Sequence, residues 1–403
     1  MCRTGSKPGS VTVRPNQRPR HRLSKGLPVT TRFGFISTYP PTQCGLASFT
    51  ASLYRELVTA AGGVGRVVSL VDAPQRRSGP EVVGQLVPGD VGGPRRVAHL
   101  LADTDVVIVQ HEYGVFGGPD GDEVLALLDA LTVPSIVVLH TVLSSPTQHQ
   151  REVLEAVADL AGAVVIMTET AWDRLAGGYR VDMDKVTVIP HGAPVGRRVQ
   201  SPLFRTAAPT VLTWGLIGPG KGVEWGIRAM AQLTDLDPAP HYLVAGQTHP
   251  KVRQHEGEAY RNSLLGLVRE HGLQTMVTLD ARYRHTAALS ELVSAADVVL
   301  LPYDSTDQVT SGVLMEAMAA AKPVVATRFP HAVELLSNGA GLLVAQKDPA
   351  AMAAALRTIL TRPAVAAGMT RAAQSSSAQL HWPEIASRYQ DLAGQLIGKP
   401  VAA

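Results

Sequence analysis

Cysteine is almost absent from this chain. Only Cys2 and Cys44 occur among 403 residues, too few for a disulfide framework or a cysteine-held metal, and a reducing compartment is the expectation. Long apolar runs are also missing. No stretch approaches the roughly 20 residues that span a bilayer, and the leading segment lacks the apolar core of a secretory signal. Secretion is therefore not expected, and a cytoplasmic location is. Charge of one sign is not in excess either: 37 Lys and Arg face 34 Asp and Glu. No basic stripe interleaved with aromatics is present, so no nucleic-acid partner is expected.

What is there suffices for two domains of ordinary size, with 45% hydrophobic and 18% charged residues. Residues 1–28 stand apart. Arg3, Lys7, Arg14, Arg18, Arg20, Arg22 and Lys25 meet no acidic residue there, among several Pro and Ser, a composition that reads as a disordered tail. Peripheral contact with anionic lipid at the inner face of a membrane is one use for such a tail; a solvated extension ahead of a gene start near Val29 is the other.

From Thr31 onward, short β-branched runs alternate with longer amphipathic stretches, the pattern of parallel sheets covered on both faces. Strands are expected at 32–37, 64–71, 105–110, 135–140, 163–167 and 185–189. A second series follows at 210–214, 242–245, 277–280, 298–301 and 324–326. The Pro- and Arg-containing segment 196–209 between the series reads as a linker. The fold class is thus α/β, with two Rossmann-like, doubly wound parallel-sheet domains at 29–195 and 210–375. A packing helix over 376–400 carries Ile385, Tyr389, Leu392 and Leu396 at helical spacing. A cleft between the domains would collect the carboxyl ends of both sheets, where ligands bind in such folds.

Two strand-to-helix loops are candidates for phosphate binding. After the first strand, Gln43-Cys44-Gly45-Leu46 leads into a helix, and Gly45 would let backbone N–H groups approach a phosphate; a plain tight turn is the alternative. The second loop, Trp214-Gly215-Leu216-Ile217-Gly218-Pro219-Gly220-Lys221-Gly222, nearly spells a Walker A motif. Gly222 stands where Ser or Thr would hold Mg²⁺, so a nucleotide hydrolase is the weakest reading. Lys221 would instead balance charge on a diphosphate leaving group, unless it is a solvated turn lysine.

A polar loop from Asp304 through Gln308, Val309, Thr310, Ser311 and Gly312 precedes a small-residue helix. Its amides would face an anion or sugar hydroxyls, and Glu316, one turn in, could accept hydrogen bonds from a ribose diol. In the first half, strand ends deliver His111-Glu112 and His140-Thr141, with both histidines expected to face the cleft. A strand-end histidine can equally be a satisfied structural residue, and no partnered nucleophile marks a hydrolase. Three Asp-x-Asp triplets, starting at Asp120, Asp182 and Asp235, read as surface turns, so neither a metal site nor a cofactor is expected.

Together these stretches resemble the retaining glycosyltransferases of family 4, which have the two-Rossmann GT-B fold. The landmarks are the Gly45 loop, Leu139-His140-Thr141, Val188-Ile189-Pro190-His191-Gly192, Lys221-Gly222 and the block from Gln308 to Glu316. The resemblance implies a nucleoside-diphosphate sugar donor, with Lys221 neutralising the diphosphate and Glu316, the second glutamate of an E-x7-E signature, holding the ribose. It further implies Gly45 near the phosphates, His140 beside the transferred sugar, and the amides of Val309 to Gly312 on the donor. The mechanism implied is front-face attack without a metal.

The chain departs from that pattern twice: Gln308 replaces the first glutamate, and Leu216 replaces the arginine of the glycine loop. Gln308 can hydrogen-bond a sugar hydroxyl, but it brings no negative charge to an oxocarbenium ion. The expected function is hexosyl transfer to an acceptor that the sequence does not name. Acceptor contacts are expected from the first half, with His111 and Glu112 among them. A donor-binding subunit with decayed catalysis, or a sugar-nucleotide epimerase on the same fold, are the alternatives.

Overall fold

The computed structural model describes residues 31–76, 79–195, 208–305 and 310–398. The basic tail, most of the linker, and the site candidates Gln308 and Val309 lie outside the described residues.

The first domain runs β1 (Arg32–Ser37), α1 (Gly45–Tyr54), β2 (Val64–Leu70), β3 (Val82–Leu86), α2 (Gly93–Leu101), β4 (Val106–His111), α3 (Glu123–Ala130), β5 (Ser135–Leu139), α4 (Gln148–Leu160), β6 (Ala163–Ile166), α5 (Glu169–Gly178) and β7 (Val186–Val188). Its seven strands are parallel in the order β3-β2-β1-β4-β5-β6-β7. The second domain runs β8 (Thr210–Trp214), α6 (Val223–Met230), β9 (His241–Ala245), α7 (Pro250–Glu256), α8 (Ala259–Glu270), β10 (Val277–Asp280), α9 (Thr286–Ala295), β11 (Val298–Leu301), α10 (Gly312–Ala319), β12 (Val324–Thr327), α11 (Pro330–Leu335), β13 (Gly341–Val344), α12 (Pro349–Thr361) and α13 (Pro363–Ser377). Its six strands are parallel in the order β10-β9-β8-β11-β12-β13.

The strands form because their alternate residues have apolar partners on both faces. In β4, Val107 and Val109 pack toward Val97, Leu127 and Leu154, while Val106 and Ile108 pack toward Phe49 and Leu53 of α1. Each such side chain contributes about 1.5–3 kcal/mol on burial. The two strands that the pattern of β-branched runs missed, β3 and β13, are both sheet edges. Each is interrupted or opened by glycine, and Gly84 in β3 sits where a Cβ would come within 2.5 Å of Leu100 Cδ1. Glycine dilutes a strand signal that is already weaker at a half-buried edge.

After α13 the chain returns to the first domain. Ala193 N donates to Leu380 O (2.7 Å) and Trp382 N to Ala193 O (3.0 Å). The last helix, α14 (Trp382–Ile397), then buries Ile385, Tyr389, Leu392 and Ala393 in the same cluster as Phe33 and Phe35 of β1.

In both sheets the strand order reverses beside the first strand of the domain, between β1 and β4 and between β8 and β11. A crevice opens at such a reversal, because consecutive connections leave to opposite faces. Four loops border these two points, and every described site candidate except His140, which follows β5, lies on or beside one of them.

Candidate active site

On the second-domain side the wall is built from backbone. Gly215, Gly220 and Gly222 hold φ values of 121°, 86° and 62°, a region closed to most side chains. A Cβ on Gly222 would sit 1.9 Å from Pro302 O. The close approach of the β11 end, rather than a nucleotide, thus explains the missing hydroxyl of the Walker-like motif. Asp304 N donates to Gly220 O (3.2 Å), and the ammonium of Lys221 lies 4.3 Å over the ring of the buried Tyr303.

One turn into α10, Glu316 accepts a hydrogen bond from Trp214 Nε1 (2.9 Å). Burial raises its carboxyl to about 7, against the opposing effect of the indole. Glu316 also borders a pocket lined by Pro194, Leu289, Ser290 and Val293. Ser311 caps α10, its Oγ accepting from Leu314 N (3.2 Å), while Ser311 N donates to His331 Nδ1 (2.8 Å). Thr310 precedes this cap, half-buried. At Gly312 a Cβ would meet His191 Nε2 at 2.9 Å, so glycine here admits the His191 side chain from the segment after β7.

On the first-domain side the wall is built from side chains. His140 Nε2 pairs with Gln110 Oε1 (2.6 Å), and its ring packs edge-on to Phe49 with centroids 5.1 Å apart. Burial, reinforced by His191 and His111, lowers His140 to about 3, so the ring is neutral at physiological pH. With Gln110 as acceptor, Nε2 carries the proton and Nδ1 the lone pair. Glu112 accepts from Thr141 Oγ1 (2.7 Å) and Tyr113 N (3.0 Å). Burial raises its pKa, partly offset by those bonds and by Lys251.

His111 departs from the expectation that it faces the cleft. It is fully buried, packed by Tyr113 and Phe116, and neither ring nitrogen has a protein partner. The side-chain alternation of a strand is the cause: Gln110 and Glu112 turn to the face of His140 and Thr141, and His111 to the other. Gly45 begins α1 behind a cap in which Cys44 Sγ accepts from Ala47 N (3.4 Å). A Cβ on Gly45 would meet nothing within 4 Å, so packing within the protein does not require glycine there.

Residues that the sequence reading did not single out tie the walls together. Gln247 Nε2 donates to Gln43 Oε1 (2.6 Å), and Lys251 Nζ to Gly114 O (2.6 Å). The carboxylate of Glu334 accepts from Glu169 N (3.0 Å) and Thr170 N (3.1 Å) at the start of α5. The polar run Gln247-Thr248-His249 directly after β9 was the available signal. The Asp-x-Asp triplets serve turns and ion pairs: Asp120 binds His149 and Gln150, Asp182 accepts from Asp184 N, and Asp235 pairs with Arg357. Among the described residues, no group of three or more His, Cys, Asp or Glu is placed to hold a metal ion, and no helix is long and apolar enough to cross a membrane.

This arrangement, two parallel-sheet domains meeting at their switch points, is the GT-B fold. Sucrose-phosphate synthase from Thermosynechococcus elongatus superposes with a TM-score of 0.71 at 20% identity, covering 91% of this chain and 99% of that one. An Anabaena protein crystallised with UDP and glucose gives a TM-score of 0.69 at 18% identity, covering 91% of this chain and all of that one. Residues 208–362, within the second domain, match the family model "Glycosyl transferases group 1".

Among curated relatives, the D-inositol 3-phosphate glycosyltransferase of Corynebacterium efficiens is 27% identical over 62% of this chain and 60% of its own length. That of Kineococcus radiotolerans is 32% identical over 52% of each. The matched segments thus span between about half and three fifths of these two relatives' length.

Proposed function

We propose that the chain is a retaining glycosyltransferase that moves a hexosyl unit from a nucleoside-diphosphate sugar to a glycan, lipid-linked or small-molecule acceptor. The observation that carries this reading is the pairing, at the switch point of the second sheet, of a lysine on a glycine loop with a half-buried glutamate one helical turn into α10. Lys221 meets the diphosphate and Glu316 the ribose hydroxyls. With its pKa near 7, Glu316 can accept a hydrogen bond as carboxylate or donate one as acid.

The amide of Gly312 and the backbone at Gly215 complete the donor site, Ser311 N being held by His331, and the open space in front of Gly45 admits the phosphates. His140, neutral and fixed by Gln110, offers a hydrogen bond to the transferred sugar. Glu112 and Thr141 lie on the acceptor side, and Gln308 takes part through its amide. Reaction proceeds by front-face attack: the acceptor oxygen bonds to the anomeric carbon as the bond to the diphosphate breaks, and the leaving phosphate takes the acceptor's proton. No bound metal is required, since Lys221 and the loop amides meet the developing charge. The protein works in the cytoplasm, with the basic charge of residues 1–28 suited to the inner face of a membrane.

The relatives' names, a D-inositol 3-phosphate glycosyltransferase and a glycogen synthase, offer inositol 3-phosphate and glycogen as acceptors to try, and UDP-glucose is a donor to try first. Incubating the protein with a panel of nucleotide sugars and these acceptors tests the reading. Binding without turnover would favour the second reading, a donor-binding subunit, which Leu216 and Gln308 motivate. Absence of any binding would overturn both.

A further inference from the structure

Position 216, where the family pattern that this chain resembles has an arginine, holds a half-buried leucine. The glycine loop therefore brings one cation, Lys221, to a leaving group of two or more negative charges. The neighbouring β9–α7 loop is bonded directly to it. Ile217 N donates to Gln247 O (2.9 Å) and His249 N to Ile217 O (2.8 Å). A Cβ on Gly218 would lie 3.1 Å from Val252 Cγ2 and 3.7 Å from His249 Cβ.

Two residues past His249, the Lys251 side chain reaches across the cleft. Its Nζ donates to Gly114 O (2.6 Å) on the loop after β4, within the influence of Glu112. His249 senses both lysines: burial lowers its pKa first, and Lys251 and Lys221 each add to the effect.

We propose that Lys251 is the second cation of the donor site, taking over from the β9–α7 loop the charge that Leu216 removes from the glycine loop. This rests on the donor reading above and adds a named residue to it. One further consequence separates Lys251 from a merely structural surface contact. An ammonium bonded to the first domain and shared with the diphosphate couples donor binding to the approach of the two walls, whereas an arginine at 216 would act within the second domain alone.

The test measures binding of UDP, GDP and ADP, and of the corresponding nucleosides, by calorimetry at low salt without added metal. The proteins compared are wild type, Lys251→Met, Leu216→Arg and the double variant. The lysine is exposed, so Lys251→Met should fold, with thermal denaturation of the ligand-free protein as control. The expected result is that Lys251→Met weakens the preferred nucleoside diphosphate about tenfold, near 1.4 kcal/mol, leaves its nucleoside unchanged, and flattens the salt dependence. Leu216→Arg added to it should restore most of the loss. Diphosphate affinity within twofold of wild type in Lys251→Met overturns the assignment while leaving the donor reading intact. If wild type binds none of the three diphosphates, the donor reading itself fails, and Lys251 falls with it.

Discussion

On the second-domain side of the cleft, shape is fixed by main chain: three glycines at positive φ, carbonyls where side chains would go, and one lysine and one glutamate set into that frame. On the first-domain side, main chain is ordinary and side chains do the fixing. His140 leans on Gln110, Glu112 on Thr141, and Phe49 touches both His140 and His191. A wall of main chain tolerates few residue types, because a Cβ has nowhere to go. A wall of side chains can be recut by substitution without disturbing the fold. That contrast suits a constant feature such as a diphosphate on one side and a variable acceptor on the other.

The largest test of the contrast is Lys221→Ala, expected to lower donor turnover by about 10²–10³-fold with little change in melting temperature, read in steady-state assays. Next comes Gly222→Ala. Left-handed backbone and collision with Pro302 O should cost roughly 2–4 kcal/mol of stability, measured by denaturant titration; an unchanged midpoint would mean that the main chain does not set this wall. His140→Ala should reduce kcat/KM about tenfold or more and, by leaving Gln110 Oε1 without its partner, cost roughly 1–3 kcal/mol of stability. Because His140 is already neutral, the wild-type pH–rate profile should show no limb from it between pH 5 and 8. A variant that unfolds would instead make that histidine structural.

Glu316→Gln should have a smaller and pH-dependent effect. The folded state holds this carboxyl's pKa near 7, above its value of 4.5 when unfolded. Between those values the native protein binds more protons, so wild-type stability declines as pH rises through that window. The isosteric amide removes the penalty, and the variant should be more stable by on the order of 1 kcal/mol at pH 8 and no more stable below pH 4.5. Glu334→Ala, which uncaps α5 across the interface, should cost about 0.5–1 kcal/mol.

Sequence made the interior strands legible, since Val, Ile and Leu recur wherever both sheet faces are covered, and of the four edge strands it left out two, β3 and β13, where glycine dilutes the signal. The donor-side candidates were visible for the same reason that their wall is rigid: glycine at 215, 220 and 222 leaves a spacing that can be read. His111 was assigned the wrong side because the strand runs one residue further than expected, to His111 itself, and parity then decides which way each side chain turns. The polar run after β9 marked a loop, but the roles of Lys251 and Gln247 could not be read from it, because their partners, Gly114 and Gln43, lie 137 and 204 positions away. No local pattern encodes a contact that exists only once two domains face each other.

The return of α14 to the first domain has a mechanical side. Ala193 and His381 pair as neighbouring backbones, so the polypeptide passes between the domains along two adjacent cords. Any rotation of one domain against the other would have to bend both cords at this pair, and His191 and Phe49, both packed on Trp382 beside it, would then be displaced less than residues at the far rim.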